Sequence, residues 1–144
     1  MPRDPDCIFC RIVAVETPAF VIFENDAVVA FLDIGPLAEG HVLVIPRAHY
    51  AKLSELPVSE CAQLGAVLPS IARALLEVTD AAGFNLLVNE GRTAGQLVSH
   101  VHIHLIPRVA NDKLGYRWNA GVYPPGRAEE LTAAYQEVLG RHEG

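Results

Sequence analysis

The sequence predicts an α+β protein with a mostly antiparallel five-stranded sheet, one long helix and short terminal helices. The first observation is a pair of β-rich runs separated by only three turn residues, which is typical of an antiparallel hairpin. The second is a single apolar pattern with spacings of three and four residues, which predicts one long helix. The third is the order of the elements, because strands, helix and strands do not alternate as they do in a doubly wound parallel sheet.

The first half of the chain is predicted to form a short helix and three strands. The helix and the strands cover residues 7–15, 20–23, 27–32 and 41–45. Glu24-Asn25-Asp26, between the first two strands, has the composition of a hairpin turn. Gly40 leads into the third strand and Pro46 is expected to close it.

The long helix is predicted over residues 57 to about 78. Its apolar stripe is formed by Cys61, Leu64, Leu68, Ile71, Leu75 and Val78. Pro57 suits the first turn, whereas Pro69 lies inside the helix and predicts a kink or a break. Because Cys61 belongs to the stripe, it is predicted to be buried in the core.

Two more strands and a terminal helix are predicted after the long helix. The strands cover residues 84–88 and 98–106 and are joined by a loop over residues 91–95. The C-terminal helix follows from the apolar spacing of Leu131, Ala134, Tyr135, Val138 and Leu139. Gly140 is expected to end this helix.

Length, charge and cysteine content narrow the class of protein. A chain of 144 residues can bury a core without disulfides, so it is predicted to form a single domain over residues 1–144. The net charge of -6 argues against binding to duplex nucleic acid, which needs clustered positive charge. No apolar run approaches the roughly 20 residues of a membrane span, and no signal peptide is evident. We therefore expect a cytoplasmic protein with no membrane and no nucleic-acid partner.

Three of the six histidines, His100, His102 and His104, lie at alternate positions of the predicted fifth strand. Because side chains alternate between the two faces of a strand, all three are expected on one face. Two chemistries use aligned imidazoles: coordination of zinc or copper, and catalysis in which one imidazole attacks while its neighbours orient it and move protons. The preceding residues 89–96 contain glycines and amide side chains that suit an anion beside the histidines.

The segment from His100 to Ile106 resembles the signature of the histidine triad (HIT) superfamily, His-φ-His-φ-His-φ-φ with φ apolar, and Gly95-Gln96 precedes it. Residues 31–34 and 40–49 resemble the N-terminal half of that family. The resemblance covers about residues 7–108 and leaves 109–144 as a variable C-terminal segment. The loop Asn89-Glu90-Gly91 slightly favours the Hint-like nucleotide phosphoramidase and hydrolase branch, of the zinc-binding bacterial type.

The resemblance implies a purine nucleotide-binding hydrolase that cleaves the α-phosphorus bond of nucleoside phosphoramidates or related AMP conjugates. His102 matches the histidine that attacks phosphorus and forms a covalent nucleotidyl-histidine intermediate. His104 and His41 match residues that stabilise phosphate charge or donate protons. His100 matches the residue whose backbone carbonyl orients the nucleophile. The sixth histidine, His142, is left as a surface residue without a role.

Further matches imply substrate-binding residues. Asn89 and Gln96 correspond to positions that contact the phosphate and the adjoining sugar, and Asp33 to the carboxylate that accepts hydrogen bonds from the ribose. The residues expected to pack around the purine are Phe9, Ile12 and Ile34. The family often carries Ser or Thr after the glutamine, but here that residue is Leu97, which has no hydroxyl to protonate a leaving group.

Cys7 and Cys10 form a C-x-x-C pair, which by itself is weak evidence of metal binding. Some HIT proteins and the related galactose-phosphate uridylyltransferases complete a zinc site with two distant histidines, and His49 and His100 match those two positions. The resemblance therefore implies a structural Zn²⁺ held by two thiolates and two imidazoles, with no open coordination position. No organic cofactor is expected.

Three alternatives remain open at the level of sequence. Within the enzyme class, the reaction is hydrolysis or phosphorolysis of dinucleoside polyphosphates. Outside it, the chain is an AMP-binding module with little catalysis, or a metal-handling protein that uses the histidine face as a copper or nickel site. The resemblance also implies a homodimer, to which the apolar long helix could contribute a surface.

Overall fold

The computed structural model describes residues 1–114 and 122–142, with side chains through residue 140. The rest of the predicted variable segment and the side chain of His142 lie outside this description. Within the described residues the predicted α+β architecture is confirmed, with five antiparallel strands and one long helix. The elements are α1 (Ile8–Val13), β1 (Val21–Glu24), β2 (Val28–Leu32), β3 (Val42–Pro46), α2 (Val58–Thr79), β4 (Gly83–Leu87), β5 (Ile103–Arg108) and α3 (Arg127–His142).

The strands are ordered β1-β2-β3-β5-β4, and every neighbouring pair is antiparallel. The turn between β1 and β2 forms where it was predicted. Asn25 Oδ1 accepts hydrogen bonds from the backbone N–H groups of Ala27 and Val28 at 2.9 and 2.8 Å. Such a side-chain bond replaces backbone partners within the turn, which explains the preference for asparagine there.

The long helix α2 covers one face of the sheet. Its buried residues recur at spacings of three and four and are Leu64, Val67, Ile71 and Leu75. They pack against alternate residues of β2, β3 and β5, and on β5 these are Ile103 and Leu105. The residue between them, His104, therefore points to the opposite face. Burial of each large apolar side chain stabilises the fold by about 1.5–3 kcal/mol.

Two features of α2 differ from what was predicted, which for Pro69 was a kink or a break. The helix does not break at Pro69. The carbonyl that loses its N–H partner there belongs to Gly65, four residues earlier, and Gly65 is exposed, so water can satisfy that carbonyl. Cys61 is exposed rather than buried, because the part of α2 that packs on the sheet begins one turn later, at Leu64.

α2 is also long and apolar enough, by length and composition, to cross a membrane, with a mean hydropathy of 1.3 over its most apolar window. The sequence was expected to contain no such run. In the described part of the chain it is the one helix with these properties. Its buried stripe packs on the sheet, which is the behaviour of a core helix.

The short helix α1 lies on the opposite face of the sheet. Its first turn contributes Phe9 and Cys10 to a second buried cluster, together with the neighbouring Cys7. The strand residues in this cluster are Val29, Phe31, Leu43 and Ile45, which alternate with the residues that contact α2. The sheet is therefore buried on both faces, and α1 packs on the same side as His104.

The fifth strand is shorter than predicted. β5 begins at Ile103, and the backbone N–H of Val101 donates to the carbonyl of Tyr50 at 2.8 Å instead of joining a sheet ladder. The prediction that the three histidines share one strand is therefore wrong, because only His104 belongs to β5, although the rings of His102 and His104 still lie side by side with centroids 4.9 Å apart. His100 lies in a bend, which allows its ring to lie in a different environment from the other two.

Residue contacts divide the chain into two units, Met1–Leu114 and Gly115–Gly144. The first unit contains the sheet with α1 and α2, and the second contains α3. The 16-residue α3 is longer than the short helix predicted, and Gly140 lies inside it instead of ending it. An exposed glycine inside a helix costs only about 1 kcal/mol relative to alanine, which a helix can tolerate. A single domain over residues 1–144 stays a prediction.

Candidate active site and metal site

A cavity of about 350 Å³ opens on the α1 side of the sheet. Its walls come from α1, the segment that follows α1, the end of β2 and the loop before β5. The predicted site residues that line it are Phe9, Ile12, Asp33, Ile34, Asn89, His102 and His104. The predicted residues that do not line it are His41, His100 and Gln96. A second cavity of similar size, between α2 and the sheet, is lined by residues without titratable side chains and offers no comparable chemistry.

His102 has one ring nitrogen fixed by the backbone. Its Nδ1 lies 2.7 Å from the carbonyl oxygen of His100, and a carbonyl can only accept, so Nδ1 carries the proton. In the neutral ring, Nε2 then holds an unshared electron pair, which is the state that a nucleophile needs. Phe9 packs edge-on against this ring with centroids 5.2 Å apart, which restricts its rotation.

His41 and His104 form a hydrogen-bonded pair in which His104 lines the cavity and His41 does not. The backbone N–H of Leu37 donates to Nδ1 of His41 at 3.1 Å, so that nitrogen is an acceptor and His41 carries its proton on Nε2. That Nε2 lies 2.9 Å from Nδ1 of His104 and donates to it. Neutral His104 must then carry its own proton on Nε2. The network therefore gives His104 a donor and His102 an electron pair, and both residues line the same cavity.

Burial keeps both rings of this pair neutral. The pKa of His104 is lowered to about 4, mainly by burial and also by repulsion from His102 and His41, while Asp33 opposes the change. The pKa of His41, which is only 2% exposed, is also lowered by burial, against an opposing effect of Asp33. The hydrogen-bond pattern derived above therefore holds at neutral pH.

Stability is expected to fall as the pH is lowered from 6.5 toward 4. In that interval the unfolded chain takes up a proton at position 104, where the ordinary pKa is 6.5, and the folded chain does not, so protonation favours unfolding. Denaturant unfolding at several pH values measures this slope. His104→Gln removes one of the titrating groups and should reduce the slope, while His41 and His100, whose pKa values are also lowered, keep part of it. An equal slope in the variant would contradict the assignment of a depressed pKa to His104.

Asp33 lies beside the histidine pair but does not complete a convincing metal site. Its Oδ1 accepts the backbone N–H of Gly35 at 2.8 Å, and its Oδ2 lies 3.7 Å from Nε2 of His41. Ligand atoms of Asp33, His41 and His104 lie close enough together to hold an ion. However, Nε2 of His41 carries a proton while Leu37 donates to Nδ1, and a metal ligand must present an electron pair. The arrangement suits proton movement better than coordination.

The loop before β5 places Asn89 and Gln96 differently. Asn89 lines the cavity, whereas the side chain of Gln96 is buried and fully engaged. Its Nε2 donates to the carbonyls of Ala51 and Val98 at 2.7 and 2.9 Å, and its Oε1 accepts the N–H of Gly91 at 2.8 Å. Gln96 therefore holds the loop in shape and has no free donor left for a substrate.

Apolar residues form most of the remaining cavity wall. Ile34 is 86% exposed at its mouth and Leu97 is 94% exposed on the same rim. The prediction did not include Ile8 or Leu43, which also line the cavity. Ile8 lies four residues before Ile12 on α1, so helical spacing could have identified it. Leu43 is paired with His104 in the β3–β5 ladder, which the sequence alone does not reveal.

Cys7, Cys10, His49 and His100 form a compact cluster behind the cavity. The two Nδ1 atoms of the histidines are 3.2 Å apart, and the Nδ1–Sγ distances to the cysteines are 3.3, 3.5 and 3.7 Å. Ordinary Zn–N and Zn–S bond lengths in a tetrahedron imply N···N and N···S separations of roughly 3.3 and 3.6 Å. The donor set and its spacing therefore fit a four-coordinate Zn²⁺.

The ring of His100 is oriented for such a role. Its Nε2 lies 2.9 Å from the carbonyl oxygen of Pro46 and donates to it, so Nδ1 in the cluster holds the electron pair. Burial is the main cause that lowers the pKa of His100 to about 4, which keeps the ring neutral. His100 thus contributes its ring to the Cys/His cluster and its carbonyl to His102, which explains why it does not line the cavity.

The fold is α+β with an antiparallel sheet, and one cavity is lined by His102, whose ring is oriented by a backbone carbonyl, and by His104, which is hydrogen-bonded to His41. This combination defines a histidine triad protein. The HIT domain model matches residues 14–111, and the chain belongs to this family. Cys7 and Cys10 lie just before the matched region.

Several named proteins are similar to the chain. It is 44% identical over 109 residues to an adenylylsulfatase HINT3 of Arabidopsis thaliana, a match that covers 76% of the chain but only 55% of that longer protein. It is 39% identical to the adenosine 5'-monophosphoramidase HNT1 of Candida albicans, with 98% and 96% of the two chains covered. A zinc-bound histidine triad family protein from Mycobacterium smegmatis has a similar structure, with a TM-score of 0.72, 38% identity and coverage of 94% and 97%.

Proposed function

We propose that the protein is a nucleotide hydrolase that releases AMP from nucleoside phosphoramidates or related AMP conjugates through a covalent nucleotidyl-histidine at His102. The observation that carries this proposal is the Nδ1–carbonyl bond between His102 and His100, which leaves Nε2 of His102 as a nucleophile in a ring that lines the cavity. The similarity to an adenosine 5'-monophosphoramidase over nearly the whole chain supports the choice of substrate class.

In the first step, Nε2 of His102 attacks the α-phosphorus, the phosphorus–nitrogen bond to the amine breaks, and a phosphorus–nitrogen bond to His102 forms. The departing amine needs a proton. His104 donates the one on its Nε2, and the Nε2 proton of His41 moves to Nδ1 of His104 through the 2.9 Å contact between the two rings, so the pair is left one proton short. In the second step, water attacks phosphorus and returns one proton to the histidine pair, the bond between phosphorus and His102 breaks, and AMP and free His102 are released.

Nucleotide recognition is assigned to the cavity wall. Asp33 would accept hydrogen bonds from the ribose hydroxyls, and Asn89 would contact the phosphate. The purine would pack among Phe9, Ile12 and Ile34, with Ile8 added to the predicted set. Gln96 is assigned to the shape of the loop, because its amide group is already bonded to Gly91, Ala51 and Val98.

Asp33→Asn is expected to weaken AMP binding by about ten- to a hundredfold, since a hydrogen bond to a charged group contributes about 1.5–3 kcal/mol. Calorimetric titration with AMP and with 2',3'-dideoxy-AMP measures the effect. The dideoxy nucleotide is the matched control, because it has no hydroxyl for Asp33 to bind and should lose little affinity in the variant. An equal loss for both nucleotides would contradict the ribose contact.

The function is tested by the choice of leaving group. We expect hydrolysis of adenosine 5'-phosphoramidate with a higher kcat/KM than that of diadenosine tetraphosphate. The reverse order would favour the dinucleoside polyphosphate alternative. Binding of AMP without turnover of either would indicate a binding module, and copper or nickel binding that needs His102 and His104 but not Cys7 and Cys10 would indicate metal handling. Leu97 supplies no hydroxyl at the rim, so substrates with poor leaving groups should be the slowest.

A zinc ion is proposed for the cluster of Cys7, Cys10, His49 and His100. All four donors would be used, so the ion would join the N-terminal segment to the residues before β5 and would supply no open position for a reaction. The zinc-bound family member from Mycobacterium smegmatis supports this choice of metal.

A homodimer in the cytoplasm is also proposed. The exposed apolar residues of α2, which include Val58 and Val78, and the edge strand β4, which carries the exposed Leu86, offer surfaces for a second copy. Three free cysteines are compatible with a reducing compartment. Sedimentation at several concentrations measures the oligomeric state.

A further inference from the structure

The loop that supplies four residues to the cavity wall is attached to a distant segment of the chain. Asn89, Gly95, Leu97 and Val98 line the cavity. Within the loop, the backbone N–H of Gln96 donates to the carbonyl of Gly91 at 3.0 Å. Outside it, the side chain of Gln96 donates to the carbonyl of Ala51 at 2.7 Å. One end of the loop is thus bonded to residues 49–54, the segment that follows β3 and begins with His49.

The other end of the loop is attached to the same segment through Glu90. The backbone N–H of Ser54 donates to Oε1 of Glu90 and its hydroxyl donates to Oε2, both at 2.8 Å. These two bonds are the leading causes that lower the pKa of Glu90, so the carboxylate is charged at neutral pH. Both side chains are exposed, so the pair contributes little to the core.

We propose that Glu90 and Ser54 are positioning residues that hold the loop over residues 89–98 in the shape that binds the nucleotide. Glu90 directly follows Asn89, so a carboxylate anchored on Ser54 limits the positions that the backbone of Asn89 can adopt. The adjacent Gly91 and the later Gly95 have φ values of +86° and +94°, a conformation that glycine adopts without steric cost and that makes the loop easy to distort. If the loop is already ordered before binding, the binding free energy of the nucleotide is not reduced by the entropy cost of ordering the loop.

The inference about loop order is tested without any nucleotide. Amide hydrogen exchange of residues 91–97 is compared among the wild type, Glu90→Ala, Ser54→Ala and Glu55→Ala. We expect exchange in Glu90→Ala to be faster by about fivefold, as loss of hydrogen bonds to a charged group implies, with a smaller change in Ser54→Ala, which keeps its backbone N–H. Glu55→Ala is the matched control, an exposed glutamate next to Ser54 that is not among the residues bonded to the loop.

Rescue separates this role from a general loss of stability. Glu90→Gln keeps an oxygen for the Ser54 N–H and places an amide donor near the hydroxyl, so exchange should return close to the wild-type rate. Amides of β5 should be unaffected in every variant. Loop exchange within about twofold of the wild type in Glu90→Ala, or equal acceleration in Glu55→Ala or throughout β5, would overturn the proposal.

The consequence for the nucleotide rests on the proposed function. In Glu90→Ala the Kd for AMP and the KM for adenosine 5'-phosphoramidate are expected to rise about three- to tenfold, while kcat stays within about twofold, because the ordering cost affects binding more than chemistry. A three- to tenfold fall in kcat with an unchanged KM would overturn the positioning role. If the wild type neither binds AMP nor hydrolyses the phosphoramidate, the proposed function fails, while the exchange comparison still decides whether Glu90 and Ser54 order the loop.

Discussion

His102→Asn is expected to abolish hydrolysis of adenosine 5'-phosphoramidate while AMP still binds. The ring of His102 supplies the electron pair that attacks phosphorus, and asparagine has no comparable nucleophile. Loss of a nucleophile typically lowers kcat by a factor of about 10⁴ or more. The asparagine amide can still donate to the carbonyl of His100, so the surrounding backbone should keep its arrangement.

Steady-state kinetics and calorimetric titration with AMP measure the two halves of this prediction. We expect the Kd for AMP to change by less than about threefold, because the nucleophile contributes to the reaction more than to ground-state binding. Rapid quenching with a radiolabelled substrate should trap a labelled protein in the wild type and none in the variant. Turnover in His102→Asn within tenfold of the wild type would contradict the covalent mechanism.

Cys10→Ser is expected to remove bound zinc and to lower the melting temperature by more than about 10 °C, because a structural metal contributes its binding free energy to folding. Cys10 is almost fully buried between α1 and the sheet, and its Sγ lies 3.3 Å from Nδ1 of His49. Serine does not replace a thiolate as a zinc ligand. Without the ion, two imidazole nitrogens 3.2 Å apart would lack a common partner.

Elemental analysis of the purified protein and thermal unfolding with and without a chelator provide the measurements. Cys61→Ser is the matched control, since Cys61 is exposed on α2 and away from the cluster. It should retain about one zinc per chain and an unchanged melting temperature. A wild-type protein that contains no zinc after expression in zinc-supplemented medium, or a Cys10→Ser variant that retains it, would contradict the metal assignment.

Patterns that depend on neighbouring residues were predicted well. The apolar spacing identified α2 to within one residue at each end, and the composition of residues 24–26 identified the β1–β2 turn. The failures concern residues whose surroundings are distant in sequence. Cys61 belongs to the apolar stripe, but burial depends on where the sheet ends under α2. The strand predicted from residue 98 begins at Ile103, because Val101 bonds to Tyr50.

The sequence by itself determined the fold class, the family and the set of residues able to carry the chemistry, because secondary-structure periodicity and motif spacing are local properties of the chain. Only the tertiary structure decided what each of these residues does. The ring of His100 contacts the cysteine cluster, and its carbonyl accepts a hydrogen bond from His102. The side-chain amide of Gln96 donates to the carbonyl of Ala51 and does not face the cavity. The cysteine Cys7 is 93 positions away from His100 and Ala51 is 45 positions away from Gln96, and folding is what brings those groups within bonding distance.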